Sequence, residues 1–197
     1  MNRQRHGGRQ AILEAAMRLF AEKGYAATST REICKAARIT KPVLYYHFRS
    51  KEHLYQELMI DCFGQHQKML LRASQAAGGF RERLVRVMEE ELKSAREEPL
   101  RVQFLIRMIF SPERRRPQFN AVARMEANRA FLADVFRKGV ASGEVLGKPA
   151  ELATIMMGMS LITILENLFT GKPTLTRRNA ERLVGVLLDG CGERVKK

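Results

Sequence analysis

The sequence is short of cysteine, of acid and of long apolar runs, and each shortage excludes something. Only Cys34, Cys62 and Cys191 occur, an odd number at wide spacing, which is no disulfide framework and points to a reducing compartment. The longest uncharged apolar stretch, Leu152 to Leu165, has 14 residues, fewer than the roughly 20 that a membrane-spanning helix needs. The opening MNRQRHGGRQ is basic but lacks the apolar run of a secretory signal, so a cytoplasmic protein with no membrane partner is expected. Internal repeats, low-complexity tracts and alternating strand patterns longer than a few residues are missing. So are the P-loop, the nucleophile elbow, the paired zinc-binding histidines and the Rossmann glycine pattern. No enzyme, cofactor or metal is expected: Cys62 and His66 stand four apart on one helix face, but two ligands are too few for zinc.

The shortage of acid has a location. The chain of 197 residues carries 35 Lys+Arg against 21 Asp+Glu, a formal net charge of +14. Residues 1–55 hold 11 cations and 4 acids, so the N-terminal quarter is the most basic part per residue. An anionic partner is implied, with nucleic acid ahead of a membrane surface. A hydrophobic content of 45% leaves ample material for a core.

What is present reads as helix throughout. Ile12, Ala16, Leu19 and Phe20 share a face of a first helix at about residues 9–23, which Gly24 ends. Ser29 and Glu32 have the spacing of a capping box and start a second helix carrying Ile33, Ala36 and Ala37 inward. Thr40 is placed to cap a short third helix with Pro42 in its first turn, and Ser50 a long fourth one that runs toward Gln75 and is stopped by Gly78-Gly79. Later helices are expected at about 80–97, 100–110, 117–141, 150–170 and 177–194, punctuated by Pro99, Ser111-Pro112, Gly143 and Gly171-Lys172-Pro173. The fold class is all-α, with about nine helices. A three-helix N-terminal domain (1–50) is followed by a larger helical domain (51–197).

Two short helices joined by a tight turn present the second to the DNA major groove. The third helix suits that role: Lys41 makes its start basic, and Tyr45, Tyr46 and His47 combine apolar surface with a hydrogen-bonding tip. Thr28, Ser29 and Thr30, at the start of the second helix, are candidate phosphate donors, and Lys51 adds a cation beyond the third. Leu44 and Phe48, four apart, belong to the core, and Tyr45 is open to either reading. Arg3, Arg5 and Arg9 are either a minor-groove arm or a frayed tail.

The segment AMRLFAEKGYAATSTREICKAARITKPVLYYHFRSKEHLYQEL resembles the DNA-binding region of the tetracycline-repressor (TetR) family. It shares LF-x-x-x-GY-x-x-T-S/T, I-x-x-A-A and L-Y-Y-H-F-x-S-K-E-x-L over about residues 9–58. The resemblance implies that Thr40, Lys41, Pro42, Val43, Tyr45, Tyr46 and His47 lie in or beside the groove and that Lys51 meets a phosphate. Arg38, Pro42 and Val43 depart from the family's usual glycine, glycine and threonine, so the operator does not carry over. The resemblance also implies a homodimer formed by the last two helices. The residues agree in part. Those helices are apolar, with Leu161, Leu165, Leu183 and Leu187 as contact candidates, while Gly158, Ser160, Gly185 and Gly190 permit close approach.

A small-molecule effector is expected in the C-terminal part. Candidates are Phe104, Arg107 and Met108 on an almost wholly apolar helix, Met156 and Met157 in a methionine cluster suited to an adaptable pocket, and Glu166. Each has a plainer reading. The alternatives are Arg107 facing solvent or a carboxylate, the methionines filling a core, and Glu166 pairing with an arginine across an interface. Arg114–Arg116 is a solvated loop or a second phosphate site. The function expected is a ligand-responsive DNA-binding regulator, a repressor that binds double-stranded operator DNA as a dimer. An activator of the same fold, a helical interaction adaptor and a helical small-molecule-binding enzyme or carrier are the alternatives.

Overall fold

The computed structural model describes residues 2–75, 77–110 and 117–190, and side chains from Gly8 onward. The side chains of Arg3 and Arg5, the Arg114–Arg116 run and Cys191 lie outside the described residues. Among these residues there are nine helices and no strand: α1 (Asn2–Lys23), α2 (Thr30–Ala37), α3 (Lys41–His47), α4 (Lys51–Ser74), α5 (Phe80–Glu97), α6 (Pro99–Phe110), α7 (Ala121–Ala141), α8 (Pro149–Thr170) and α9 (Arg177–Asp189). The all-α expectation holds, and the breakers act where expected. Gly24, Gly143 and Gly171 all take positive φ just past a helix, a conformation that costs glycine nothing. Helix α7 starts at Ala121 rather than near 117, because Pro117 is buried and Phe119 stacks on Phe63 with ring centroids 5.5 Å apart. Helix α1 starts at Asn2 rather than near residue 9.

The chain forms two compact units. The first is Met1–Gln65 with Glu98–Ala121, and the second is His66–Glu97 with Val122–Lys197. The division differs from one at residue 50 in two ways. The first 15 residues of α4 belong with α1–α3, and so does the whole of α6. The reason is packing. Phe104 and Met108 of α6 are fully buried in the same core as Ile12, Ala16, Phe20, Ile33, Leu44, Phe48, Leu54 and Leu58. Phe104 stacks on Phe20 at 6.3 Å, and Tyr55 meets both rings edge-on, at 6.0 Å from Phe20 and 6.5 Å from Phe104. A three-helix module of about 50 residues buries little apolar area by itself. The aromatic cluster from α4 and α6 enlarges that core.

In the second unit α5, α7, α8 and α9 bury Leu84, Val87, Met88, Leu92, Phe136, Ala153, Met156, Ala180 and Val184. Phe80 lies edge-on to Phe136 at 6.0 Å. Its ring approaches α7 so closely that a Cβ on Gly139 would fall 2.4 Å from it, so only glycine fits there without displacing the ring. Arg177 fastens the start of α9 to α5 through Glu82 (3.0 Å) and Glu89 (2.8 Å), and Asp189 at its end accepts from Arg81 (2.6 Å).

Helix α8 is the one described helix long and apolar enough to cross a membrane by length and composition, more than the 14-residue stretch suggested. One side of it is core: Leu152, Ala153, Met156, Ser160 and Thr163 are buried within the unit. The other side exposes Ile155 (50%), Ile162 (64%) and Phe169 (77%). These recur every seven residues, so they form one stripe along the helix.

Candidate nucleic-acid interface

The interface begins with how α2 is set. Ser29 caps α2 by a reciprocal box: its hydroxyl accepts from the Glu32 N–H (3.2 Å), and the Glu32 carboxylate accepts from the Ser29 N–H (2.9 Å). Lys23 reaches the same carboxylate at 2.6 Å. Hydrogen bonding from Lys23, then from the Ser29 backbone and hydroxyl, lowers the Glu32 pKa to about 2, and the same contact raises that of Lys23. Helix α2 ends at Arg38, whose backbone is left-handed (φ 54°, ψ 43°). That reversal, closed by Ile39 N–H to Cys34 O at 3.0 Å, swings the chain into α3.

Helix α3 is sorted into two faces. Leu44 and Phe48 are fully buried, while Lys41, Pro42, Val43 (38%), Tyr45 (48%) and Tyr46 (68%) are exposed. Tyr45 therefore faces out, and the row expected to meet DNA is presented together. His47 is half-buried, its ring edge-on to Tyr46 at 5.1 Å. Thr40 occupies the N-cap position, but its side chain makes no capping bond. Leu44 N–H bonds its carbonyl instead (3.2 Å), leaving the exposed hydroxyl beside the row.

Three expectations change. Thr28 is not a phosphate donor: it is buried, and its hydroxyl donates inward to the carbonyls of Gly24 (2.8 Å) and Leu19 (3.2 Å). It ties the α1–α2 turn, while Ser29 serves the cap and Thr30 stays half-exposed in the first turn of α2. The Lys51 ammonium turns inward too. It donates to the carbonyls of Tyr25 (2.9 Å) and Thr28 (2.8 Å) and sits 4.1 Å from the centre of the Tyr25 ring. Its first role is to hold the start of α4 against that turn. Arg9 sits within α1 rather than on an arm or a frayed tail, pairing with Glu57 at 2.8 Å and lying over the Phe48 ring.

Sequence reasoning missed the cations of α2. Arg31, Lys35 and Arg38 are exposed on one face, and neither their side chains nor those of Lys41 and Arg49 form a hydrogen bond or an ion pair among the described residues. The i, i+4, i+7 spacing was the available signal.

The candidate effector residues do not come together. Phe104 and Met108 are core of the first unit, and Arg107 on the same helix is exposed. In the second unit Met156 is core, Met157 is half-buried, and exposed Glu166 pairs with Lys172 at 3.2 Å. The partly buried cation of α6 is Arg101, which donates to Gln65 Oε1 at 2.6 Å and pairs with Glu98. Unforeseen was a polar set inside the second unit. His66 lies 3.1 Å from the Asn128 amide and 3.5 Å from the largely buried Glu91 carboxylate. Among the dimer candidates Ser160 and Leu183 are buried within the unit, Ser160 donating to Met157 O at 3.0 Å. Leu161, Leu165 and Leu187 are half-buried and Gly158 is exposed. Burial pushes up the thiols of Cys34 and Cys62, the latter to about 12, and no group of three metal-ligating side chains occurs among the described residues.

Residues 12–58 match the family described as bacterial regulatory proteins, tetR family. The repressor KstR2 of Mycolicibacterium smegmatis is 30% identical over 144 residues, 68% of this chain and 66% of KstR2. This chain belongs to the TetR family. The TetR likeness extends to solved structures. AibR, crystallised with isovaleryl coenzyme A and operator DNA, superposes with a TM-score of 0.71 at 26% identity, over 92% of this chain and 98% of AibR. IcaR of Staphylococcus epidermidis, a negative regulator of the biofilm operon icaADBC, is 41% identical over 61 residues, 31% of this chain. The matched part is 66% of KstR2 and 33% of IcaR, so the shared sequence spans less than two thirds of these relatives.

Proposed function

We propose that this protein is a transcriptional repressor that binds a pseudo-palindromic operator in double-stranded DNA as a homodimer and is released by a small molecule. The observation that carries the reading is the two-faced α3: Leu44 and Phe48 lock it into the core, and Lys41, Pro42, Val43, Tyr45 and Tyr46 stand outward in one row. A helix about two turns long that is held rigidly and faces solvent with aromatic, cationic and methyl groups suits phosphate and base-edge contacts. The repressor KstR2 and the operator-bound AibR support the same reading. Such a role belongs in the cytoplasm.

One motif gives modest affinity, and two related by a dyad read half-sites about 34–36 Å apart. The Ile155, Ile162 and Phe169 stripe supplies a face for the second copy, and Gly158, with nothing within 4 Å of a Cβ placed on it, lets a helix come close. Release needs an effector that binds the non-operator geometry better. The second unit supports that role: His66, which is partly exposed, and the largely buried Glu91 and Asn128 gather hydrogen-bonding groups beside an apolar core. Helix α4, with residues 51–65 in one unit and 66–74 in the other, is the element both share.

The test is a footprint on the DNA flanking the gene, paired with sedimentation. Two protected half-sites about one helical turn apart and a dimer at micromolar concentration are expected. Ile162→Lys should give a folded monomer with weakened operator binding. Equal affinity for every duplex tried, or a parent protein that sediments as a monomer, would refute the proposal.

A further inference from the structure

We infer that Arg38 is a phosphate-contacting residue of the DNA interface, held in the turn between α2 and α3 despite a conformation that disfavours it. The inference rests on the DNA-binding reading and adds a contact that the recognition helix does not supply. Seven described residues have positive φ, and six of them are glycines: Gly24, Gly78, Gly143, Gly147, Gly171 and Gly190. The seventh is Arg38, at φ 54°. A left-handed backbone crowds the Cβ of any L-residue against its own peptide, and arginine has no short polar group to compensate locally. The turn itself imposes the conformation, because it closes α2 through Arg38 N–H to Lys35 O (3.3 Å) and Ile39 N–H to Cys34 O (3.0 Å). Glycine would make the same two bonds without the crowding.

Nothing among the described residues compensates. The Arg38 side chain is exposed and forms no hydrogen bond or ion pair among the described residues. Its neighbours worsen the electrostatics: Arg31 and Lys35 precede it on the same face and Lys41 follows it, all exposed and all without an acid partner among those residues. Glu32 is the one carboxylate between residues 30 and 50, and it is already bound by Lys23 and by the α2 cap. Four like charges strung along α2 and the turn after it repel one another in the free protein, and a polyanion reverses the sign of that interaction. Successive cations along α2 rise by about 6 Å and 4.5 Å, so the row is drawn out along the surface beside α3 rather than focused on one point. That suits a run of phosphates on a duplex strand. A guanidinium at the turn is a bidentate phosphate ligand that lysine cannot duplicate in geometry.

The test separates stability from binding, because the two are expected to move in opposite directions. Arg38→Gly, Arg38→Asn and Arg38→Lys are compared with the parent by thermal melting and by anisotropy on a fluorescein-labelled 30-base-pair duplex of mixed sequence, titrated from about 50 to 200 mM salt. Arg38→Gly should melt higher and bind the duplex about three- to tenfold more weakly, with the log–log salt slope reduced by about one per subunit. Arg38→Asn, which tolerates the left-handed backbone but lacks the charge, should lose the same binding. Arg38→Lys should keep the slope. Glycine and asparagine variants that bind with parental affinity and slope would make the arginine a mere occupant of the turn and overturn the inference, and so would a glycine variant that melts lower. A parent protein indifferent to the duplex would instead overturn the DNA-binding reading, and this inference with it.

Discussion

In the second unit Arg81, Arg129, Lys148, Lys172 and Arg177 each lie within 3.2 Å of a carboxylate, whereas Arg31, Lys35, Arg38, Lys41 and Arg49 of the α2–α3 segment have none among the described residues. Both regions are basic by count, so composition alone does not tell them apart. Paired surface charges largely cancel and contribute little to stability. Unpaired ones project a field that an incoming polyanion meets before any contact forms. Lys68, Arg72, Arg124, Lys138 and Arg178 of the second unit also lack a carboxylate partner among the described residues, but they are spread over α4, α7 and α9. The five of α2–α3 fall within 19 residues that hold a single acid, and the signal is that local scarcity of acid. The second unit shows a different deficiency, an α8 stripe of Ile155, Ile162 and Phe169 that finishes no core of its own. One region is short of anions and the other of apolar cover, and those are what the proposed DNA and second-copy partners would supply.

The largest effect that would break this comparison lies in α3, where one helix carries both fold and interface. Leu44→Ala should destabilise the first unit by roughly 2–5 kcal/mol, and DNA binding should fall only with the folded fraction. Tyr46→Ala, at a residue 68% exposed, should leave the melting temperature nearly unchanged and weaken binding per folded molecule. Melting and duplex titration on both variants check this. A Tyr46→Ala protein that melts early while its folded fraction binds normally would mean that the outward row is structural.

These faces were legible in the sequence because helical periodicity and local breakers carry them. Leu44 and Phe48 fall four apart, Ser29 and Glu32 announce the cap, and Gly24, Pro99 and Gly171 mark ends. What could not be read depends on distant partners. An almost wholly apolar α6 says that it is buried without saying where, and Phe104 finds Phe20 across 83 intervening positions. Polar side chains mislead in the same way. Thr28 and Lys51 look available for phosphate until the folded α1–α2 turn offers them carbonyls. Arg107 looks in need of a partner, yet it faces outward. The α8 stripe was within reach, since its seven-residue recurrence is visible once the helix is drawn.

Lys51 gives the middle-sized test, because it is a cation that the comparison assigns to the fold. Lys51→Met keeps the aliphatic stem and removes an ammonium that bonds two carbonyls. Charge-assisted bonds of this kind contribute about 1.5–3 kcal/mol, and partial exposure trims that to an expected loss of about 1–2 kcal/mol. The salt dependence of duplex binding should change by less than one unit of slope per subunit. A variant with parental stability and a slope lower by a full unit would return Lys51 to the phosphate contacts.

The smallest effect concerns Glu32, the one acid within α2–α3, which joins the α2 cap and pairs with Lys23. Its pKa is lowered to about 2, by the hydrogen bond from Lys23 first and those from Ser29 next. A carboxylate whose folded value lies below its ordinary 4.5 stabilises the native state in full above 4.5. As pH falls below that value the unfolded chain takes up the proton first, and the contribution is gone once the pH has passed through about 2. The parent should therefore lose stability progressively over that window. Glu32→Gln still accepts from the Ser29 N–H but no longer attracts Lys23 as a charge, so its melting temperature should start slightly lower at neutral pH. It should also fall less steeply between pH 4.5 and 2 than the parent's. Melting curves on both proteins across that range decide the matter, since parallel curves would show that other carboxylates govern the acid limb. Duplex binding at neutral pH supplies the second readout. Removing the only acid among five unpaired cations should leave affinity equal or slightly higher, as expected if the missing anion belongs to DNA.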